Sequence, residues 1–222
     1  MEFFSSVRGK LIVSCQALPH EPLFSSFIMG RMALAAKEGG ACAIRAQSVE
    51  DIREIKKVTG LPVIGLIKRN YEDSPIYITP TMAEVEELLT TECEMISLDM
   101  TNRHRPAGEK AQDLLRRIHE GGRLVLADIS TYEEGIAAAK MGADAISTTL
   151  SGYTPYSPQL EGPDVELVAR LSKELSIPVF AEGRINVPDD IKAVMSAGAY
   201  APIVGSAITR PQLITAKFAQ KL

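Results

Sequence analysis

Eight short apolar runs punctuate this chain of 222 residues, and each finishes on or beside a polar residue or a glycine. Segments in which apolar residues recur at helical spacing separate the runs. The runs cover residues 11–17, 43–46, 62–68, 95–100, 124–129, 145–150, 178–183 and 201–207. Alternating strands and helices in this number predict an α/β protein with a single (β/α)8 barrel, the TIM-barrel architecture.

The bulk properties narrow the class of protein further. A length of 222 residues is near the lower end for one complete barrel, so we expect a single catalytic domain over residues 1–222. The net charge of -4 disfavours nucleic-acid binding. No stretch has the roughly 20 apolar residues that span a bilayer, so we expect a cytoplasmic protein with no membrane partner. Cys15, Cys42 and Cys93 form no C-x-x-C pair, which predicts neither disulfides nor a metal site.

The strand ends nominate an active site, because barrel enzymes place their chemistry at the carboxyl ends of the strands. These ends carry Gln16, Arg45, Lys68, Asp99, Asp128, Thr148 with Thr149, Glu182 and Gly205. Since strand residues alternate between faces, Lys68, Asp128 and Glu182 should point into the barrel above apolar residues two and four positions earlier. The alternative is a set of salt bridges that only closes the barrel, with Arg45 and Arg210 neutralising Asp128 and Glu182.

The chain also repeats itself weakly. Residues 40–44 echo residues 142–146, and residues 61–64 echo residues 177–180, which places similar segments four strands apart. A half-barrel duplication and chance similarity both explain these pairs. In either case strands three and seven face each other across an eight-stranded barrel, so Lys68 and Glu182 could approach one bound molecule from opposite sides. A base and an acid on opposite sides of a carbon can invert its configuration.

Lys68 has three readings: a general acid or base, a Schiff-base nucleophile, or an anion contact. To act as a base near neutral pH it needs a lowered pKa, which burial or neighbouring cations would provide. Arg45 and Arg69 are the candidate cations, while Glu182 and Asp128 would oppose them.

The loops after strands seven and eight predict a phosphate site. They contain Gly183, Gly205 and Ser206, and barrel enzymes often bind phosphate through backbone amides of these two loops. Arg210 would add a cation. The alternative is that the glycines only allow tight turns.

Two longer loops follow strands three and six. Residues 69–81 contain Tyr71 and Tyr77, and residues 151–163 contain Tyr153 and Tyr156. Loops longer than a turn requires are often functional. We expect either walls of the substrate site or contacts between subunits.

Six segments show a family resemblance: IVSCQA at residues 12–17, IRAQ at 44–47, IKRN at 67–70, ADI at 127–129, STTLSGYT at 147–154 and AEGR at 181–184. With these motifs the chain resembles the N-acetylmannosamine-6-phosphate 2-epimerases from Gly9 to the C-terminus. The resemblance implies a cofactor-independent barrel enzyme of bacterial sialic acid and aminosugar catabolism. Its reaction would convert N-acetylmannosamine 6-phosphate to N-acetylglucosamine 6-phosphate, and the family implies a homodimer.

The resemblance also implies roles for single residues. Lys68 would be the principal acid/base at C2 and Glu182 its partner. Substrate contacts would come from Gln16, Arg45, Asp128, Thr148, Tyr153 and Arg210, and phosphate contacts from Gly183, Gly205 and Ser206. Two other functions stay open on the residues alone: a Schiff-base aldolase that uses Lys68, and a phosphosugar-binding protein without catalytic activity.

Overall fold

The computed structural model describes residues 2–222 and contains a closed barrel of eight parallel strands. Neighbouring strands follow the chain order, and the last strand pairs with the first. The strands are β1 (Ile12–Cys15), β2 (Ala43–Gln47), β3 (Val63–Leu66), β4 (Met95–Asp99), β5 (Leu124–Asp128), β6 (Ala145–Ser147), β7 (Val179–Glu182) and β8 (Ala201–Val204). The predicted (β/α)8 fold is confirmed.

Helices surround the barrel and connect its strands. They are α1 (Glu2–Val7), α2 (Ser26–Glu38), α3 (Val49–Thr59), α4 (Met82–Leu89), α5 (Ala111–Glu120), α6 (Tyr132–Met141), α7 (Val165–Glu174), α8 (Pro188–Ser196), α9 (Ser206–Thr209) and α10 (Pro211–Ala219). Gly142 after α6 adopts φ 106°, a left-handed conformation that glycine tolerates and that turns the chain towards β6. Among residues 2–222, no helix has both the length and the apolar composition needed to cross a bilayer.

The strands bury both of their faces. Their outward side chains, Ile44 and Val125 among them, pack with Ile52 and Leu114 of the surrounding helices. The inward side chains form a second cluster that includes Ile64, Leu126 and Phe180, as their alternation predicts. Phe3 and Val7 of α1 join this inner cluster. Leu126 of β5 and Phe180 of β7 are the last apolar side chains that point inward on these strands. The next inward positions, at the strand ends, are Asp128 and Glu182.

Candidate active site

A cavity of about 260 Å³ opens at the carboxyl ends of the strands. Most of the site residues selected from sequence border it: Gln16, Arg45, Lys68, Tyr153, Glu182, Gly183, Gly205, Ser206 and Arg210. They come from both halves of the chain, and the closed barrel brings them to one place. The structure therefore gathers these residues around a space that a small molecule can enter.

Arg45 borders the cavity and forms ion pairs with two carboxylates. Its side chain is 2% exposed, its Nη2 lies 2.5 Å from Asp128 Oδ2, and its Nη1 lies 2.5 Å from Glu182 Oε2. Asp128 is fully buried and lies beneath the cavity rather than on its surface, whereas Glu182 is 11% exposed and borders it. The alternative of salt bridges that close the barrel holds for Arg45, whereas Arg210 pairs with Glu21, with 2.6 Å between Nε and Oε1.

Lys68 follows β3 at the cavity wall and has an altered acidity. Burial, together with the positive charges of Arg45 and Arg210, lowers its pKa from its ordinary value to about 8. Within residues 2–222, no carboxylate oxygen lies within 4.0 Å of its Nζ. Arg69, the other cation expected to act on it, forms ion pairs with Glu84 and Glu87 instead. About a tenth of Lys68 is therefore neutral at pH 7, and about half at pH 8.

This acidity leads to a prediction about the pH dependence of the rate. If the neutral Lys68 amine is the base in the free enzyme, kcat/KM should rise by about tenfold per pH unit on the acidic side. The rise should level off near pH 8, where Lys68 is half deprotonated. A pH profile of initial rates measures this, and a flat profile between pH 6 and pH 9 would contradict the role of Lys68 as a base in the forward direction.

Thr148, which the resemblance implied as a substrate contact, does not border the cavity, whereas its neighbour Thr149 does. The Thr148 hydroxyl donates to the Glu182 carbonyl oxygen at 2.9 Å and accepts from the Glu182 N–H at 3.1 Å. Alternation from the inward residues of β6, Ala145 and Ser147, points to Thr149 rather than to Thr148. Thr148 supports the Glu182 backbone and is not brought to the cavity.

The residues that the sequence predicts to bind phosphate all border the cavity. Within residues 2–222, the backbone N–H groups of Gly183, Arg184, Gly205 and Ser206 donate no hydrogen bond. Gly183 has φ 102° and Arg184 has φ 53°, so two successive residues adopt the left-handed region and turn the chain sharply around the cavity rim. Arg210 donates from Nη1 to the Ser206 hydroxyl at 2.7 Å. Free amides beside a guanidinium form a site for an anion.

Arg184 and Asn186 also border the cavity, and sequence reasoning did not select them. The Arg184 guanidinium lies 5.6 Å from the centre of the Tyr153 ring, and its Nε donates to the Gly162 carbonyl oxygen at 3.1 Å. Arg184 therefore connects the loop after β7 to the loop after β6. Its place in the AEGR motif, next to Gly183, was a signal in the sequence, but its left-handed backbone conformation is visible only in the structure.

Each of the two long loops contributes one tyrosine to the cavity and one to an anchor. Tyr77 and Tyr153 border the cavity. The Tyr71 hydroxyl donates to Glu84 at 2.9 Å, and the Tyr156 hydroxyl donates to Glu134 at 2.7 Å. Both glutamates are fully buried at the first turns of α4 and α6. The first loop is thus attached to α4 and the second to α6. This attachment favours the interpretation of the loops as walls of the site.

Gln16 presents an unsatisfied acceptor. Its Nε2 donates to the Ser14 hydroxyl at 2.8 Å, while its Oε1 is buried and has no hydrogen-bond partner within residues 2–222. An unpaired buried acceptor is unfavourable by about 1–3 kcal/mol. Because Gln16 borders the cavity, a bound molecule with an N–H or O–H group can satisfy this oxygen.

A closed (β/α)8 barrel with a desolvated lysine, a buried arginine, a carboxylate and an anion pocket at its carboxyl end defines an enzyme of the TIM-barrel class. Residues 29–222 match the family model described as putative N-acetylmannosamine-6-phosphate epimerase. The chain belongs to this N-acetylmannosamine-6-phosphate 2-epimerase family, which confirms the resemblance seen in its motifs.

Individual relatives agree with this assignment. A putative N-acetylmannosamine-6-phosphate 2-epimerase of Clostridioides difficile is 66% identical over 216 residues, which is 97% of each chain. The solved structure of the N-acetylmannosamine-6-phosphate 2-epimerase from Clostridium perfringens superimposes with a TM-score of 0.97 at 63% identity, covering 99% of this chain and 96% of the other. Thiamine phosphate pyrophosphorylase from Pyrococcus furiosus, at 21% identity and a TM-score of 0.62, shares the fold alone.

Proposed function

We propose that this enzyme epimerises N-acetylmannosamine 6-phosphate at C2 to N-acetylglucosamine 6-phosphate, with Lys68 and Glu182 as its acid/base pair. Membership of the epimerase family supports the reaction. The observation that carries the residue assignment is topological: Lys68 follows β3, Glu182 ends β7, and these strands are four apart in a closed barrel of eight. The two groups therefore border one cavity from opposite sides, as inversion at a carbon requires.

The chemistry begins with the open-chain form of the sugar, in which the aldehyde at C1 makes the C2 proton acidic. For one epimer, neutral Lys68 removes this proton, and Glu182 returns a proton to the opposite face of C2. The enolate that forms between these steps carries negative charge on the C1 oxygen. Arg45 and the Lys68 ammonium border the cavity and can stabilise this charge, and such preorganised charge is usually the largest catalytic contribution.

The remaining contacts orient the sugar. The free amides at Gly183, Gly205 and Ser206, together with Arg210, hold the phosphate. The unpaired Oε1 of Gln16 accepts from the acetamido N–H or from a hydroxyl. Tyr153 borders the same cavity and provides a stacking face for the sugar chain. Asp128 acts from below the cavity by holding Arg45.

The decisive experiment is incubation with N-acetylmannosamine 6-phosphate in D2O, followed by NMR. Formation of N-acetylglucosamine 6-phosphate with deuterium at C2 is the expected result. A substrate adduct trapped by borohydride would instead favour the Schiff-base aldolase. Thermal stabilisation by the sugar phosphate without product or exchange would favour a binding protein.

The anion pocket leads to a second prediction. Replacing Arg210 with glutamine should raise KM for the phosphorylated substrate by about 10–100-fold, since a hydrogen bond to a charged group contributes about 1.5–3 kcal/mol. Inhibition by inorganic phosphate should weaken in parallel. Arg8→Gln, which changes a guanidinium stacked on Tyr200, is the matched control and should leave KM unchanged. An unaltered KM in the Arg210 variant would place the phosphate elsewhere.

The assembly and location of the enzyme are also proposals. We propose a homodimer in which α10 contributes to the contact, because this helix buries none of its residues against its own barrel and leaves Phe218 75% exposed. Sedimentation equilibrium measures the stoichiometry. Because a sugar phosphate is charged and does not cross a bilayer unaided, the cytoplasm is the proposed compartment.

A further inference from the structure

The hydroxyl of Thr149 lies between the two carboxyl groups of the site. Its Oγ1 is 2.7 Å from Asp128 Oδ1, 2.9 Å from Glu182 Oε2 and 2.7 Å from the Ser147 hydroxyl oxygen. Each of these distances is that of a hydrogen bond. Within residues 2–222, Thr149 and Arg45 are the two side chains that contact both Asp128 and Glu182.

The number of protons in this arrangement is informative. Three short oxygen–oxygen contacts have a proton each only when three protons are present, whereas the hydroxyls of Thr149 and Ser147 supply one each. With both carboxyl groups ionised, Thr149 has to divide its single proton between two negatively charged oxygens. A third proton on either Asp128 or Glu182 satisfies every contact: the Thr149 oxygen then accepts two hydrogen bonds and donates one.

The charges of Arg45, Asp128 and Glu182 also favour one additional proton on the two carboxyl groups. Asp128 and Glu182 share the single positive charge of Arg45, so one additional proton makes the three groups neutral in a buried place. Burial raises the pKa of Asp128, the charge of Arg45 lowers it, and the charges of Glu182 and Asp99 raise it, with a net increase. Two carboxyl groups that share one site commonly share one proton.

We propose that Thr149 relays a proton between Asp128 and Glu182, so that Asp128 is the internal proton reservoir for the acid/base function of Glu182. This inference rests on the proposed role of Glu182. In the resting state Asp128 Oδ1 carries the proton and donates to Thr149, which donates to Glu182 Oε2. Transfer of the Thr149 hydroxyl proton to Glu182, together with transfer of the Asp128 proton to Thr149, moves one proton from Asp128 to Glu182 and restores the Thr149 hydroxyl.

The relay balances the reaction in both directions. As the C2–H bond of one epimer breaks, its proton goes to the Lys68 amine and its electron pair to the enolate. The Asp128 proton reaches Glu182 through Thr149, and the resulting Glu182 O–H proton forms the new C2–H bond. The enzyme ends with a Lys68 ammonium and with Asp128 and Glu182 both ionised, and proton exchange with water restores the neutral Lys68 amine and the Asp128 proton. The other epimer uses the same bonds in reverse order.

Replacing Thr149 with valine tests the relay, because valine keeps the shape and removes the hydroxyl. We expect kcat to fall by about 100-fold, at the low end of a general acid/base contribution, with little change in KM. Exchange of the C2 proton with D2O should persist for the epimer that Lys68 deprotonates. Thr149→Ser, which restores the hydroxyl, should recover most of the rate. Thr91→Val, which removes a buried hydroxyl bonded to the Leu88 carbonyl oxygen, is the matched control and should keep full activity.

The outcomes separate the relay from the proposed function. If Thr149→Val keeps wild-type kcat while Glu182→Gln is inactive, the relay is wrong and the acid/base pair stands. If Glu182→Gln is also fully active, the assignment of Glu182 fails and takes the relay with it. An increase in KM alone would show that Thr149 only contacts the substrate, which overturns the relay.

A measurement on the wild-type enzyme covers the case in which the Thr149 variant does not fold. The infrared difference spectrum of wild type minus Asp128→Asn at neutral pH should contain the carbonyl stretch of a protonated carboxylic acid, shifted in D2O. The Asp128→Asn difference is needed because burial also raises the pKa values of Asp51 and Asp99. A difference spectrum with carboxylate bands only would overturn the shared proton.

Discussion

Replacing Lys68 with methionine is expected to abolish epimerisation, with kcat/KM lower by about 10²–10⁴ or more. Methionine keeps an unbranched chain of similar length and removes the amine, so the loss should be chemical. Lys68 makes no ion pair within residues 2–222, and its substitution should leave the midpoint of thermal unfolding near that of the wild type. Coupled assays and NMR in D2O measure the product and the exchange separately.

The exchange pattern tells a base from a mere anion contact. In a two-base epimerase each variant should retain exchange for one epimer only: Lys68→Met for the epimer whose C2 proton faces Glu182, and Glu182→Gln for the other. Lys68→Arg is the control, because arginine keeps the positive charge but does not lose its proton in proteins. Near-normal activity of Lys68→Arg would assign Lys68 to anion binding, and near-normal activity of Lys68→Met would exclude it from the chemistry.

The second large effect should follow from replacing Arg45 with methionine, which removes the partner of two carboxyl groups. Removing one member of a buried ion pair typically lowers the free energy of unfolding by about 3–5 kcal/mol, because the remaining charge is left without compensation. Asp128 is fully buried here and would be the main source of the loss. Urea unfolding monitored by circular dichroism measures it, and activity should disappear as well.

The loss should depend on pH in a definite direction. Without Arg45 the pKa of Asp128 in the folded protein rises further above its value in the unfolded chain. A carboxyl group with a raised folded-state pKa stabilises the protein at low pH and loses that effect as pH rises through the folded-state pKa. The difference in unfolding free energy between wild type and Arg45→Met should therefore be largest at alkaline pH and shrink on acidification.

The control for Arg45 is Arg116→Met, which removes an exposed ion pair with Asp113 on α5. Surface pairs contribute about 0–1 kcal/mol, so this variant should unfold at nearly the wild-type urea concentration at every pH. Equal losses in the two variants, or a loss for Arg45→Met that does not vary with pH, would mean that the buried carboxyl groups are not the cause.

Local patterns were sufficient for much of the fold. The eight apolar runs correspond to the eight strands, and glycine at position 142 suits the left-handed turn that ends α6. The same period-two alternation correctly places Ile64, Leu126 and Phe180 inside the barrel. These features follow from sequence because each depends on a few neighbouring residues: side-chain alternation along a strand, and the backbone freedom of glycine.

The site was predictable only in part. The polar strand ends and the motifs led to Lys68, Glu182 and the phosphate loops, and the topology of the barrel brought them to one cavity. Thr148 was selected where alternation along β6 favours Thr149, and Arg69 was expected near Lys68 although it pairs with Glu84 and Glu87. Both differences arise after a strand ends, where the chain leaves the regular alternation and loop conformation directs the side chain.

The sequence by itself determined the barrel, the family and the residue types available for acid/base chemistry, because strand periodicity and motifs are local properties of a chain. Only the tertiary structure decided how those residues act on one another. Ion pairs such as Arg45 with Asp128, which are 83 positions apart, set the charge of the site. The acidity of Lys68 depends on burial and on two cations, Arg45 of β2 and Arg210 between α9 and α10. Electrostatic energies depend on distance and on exclusion of water, and both arise only when the barrel closes.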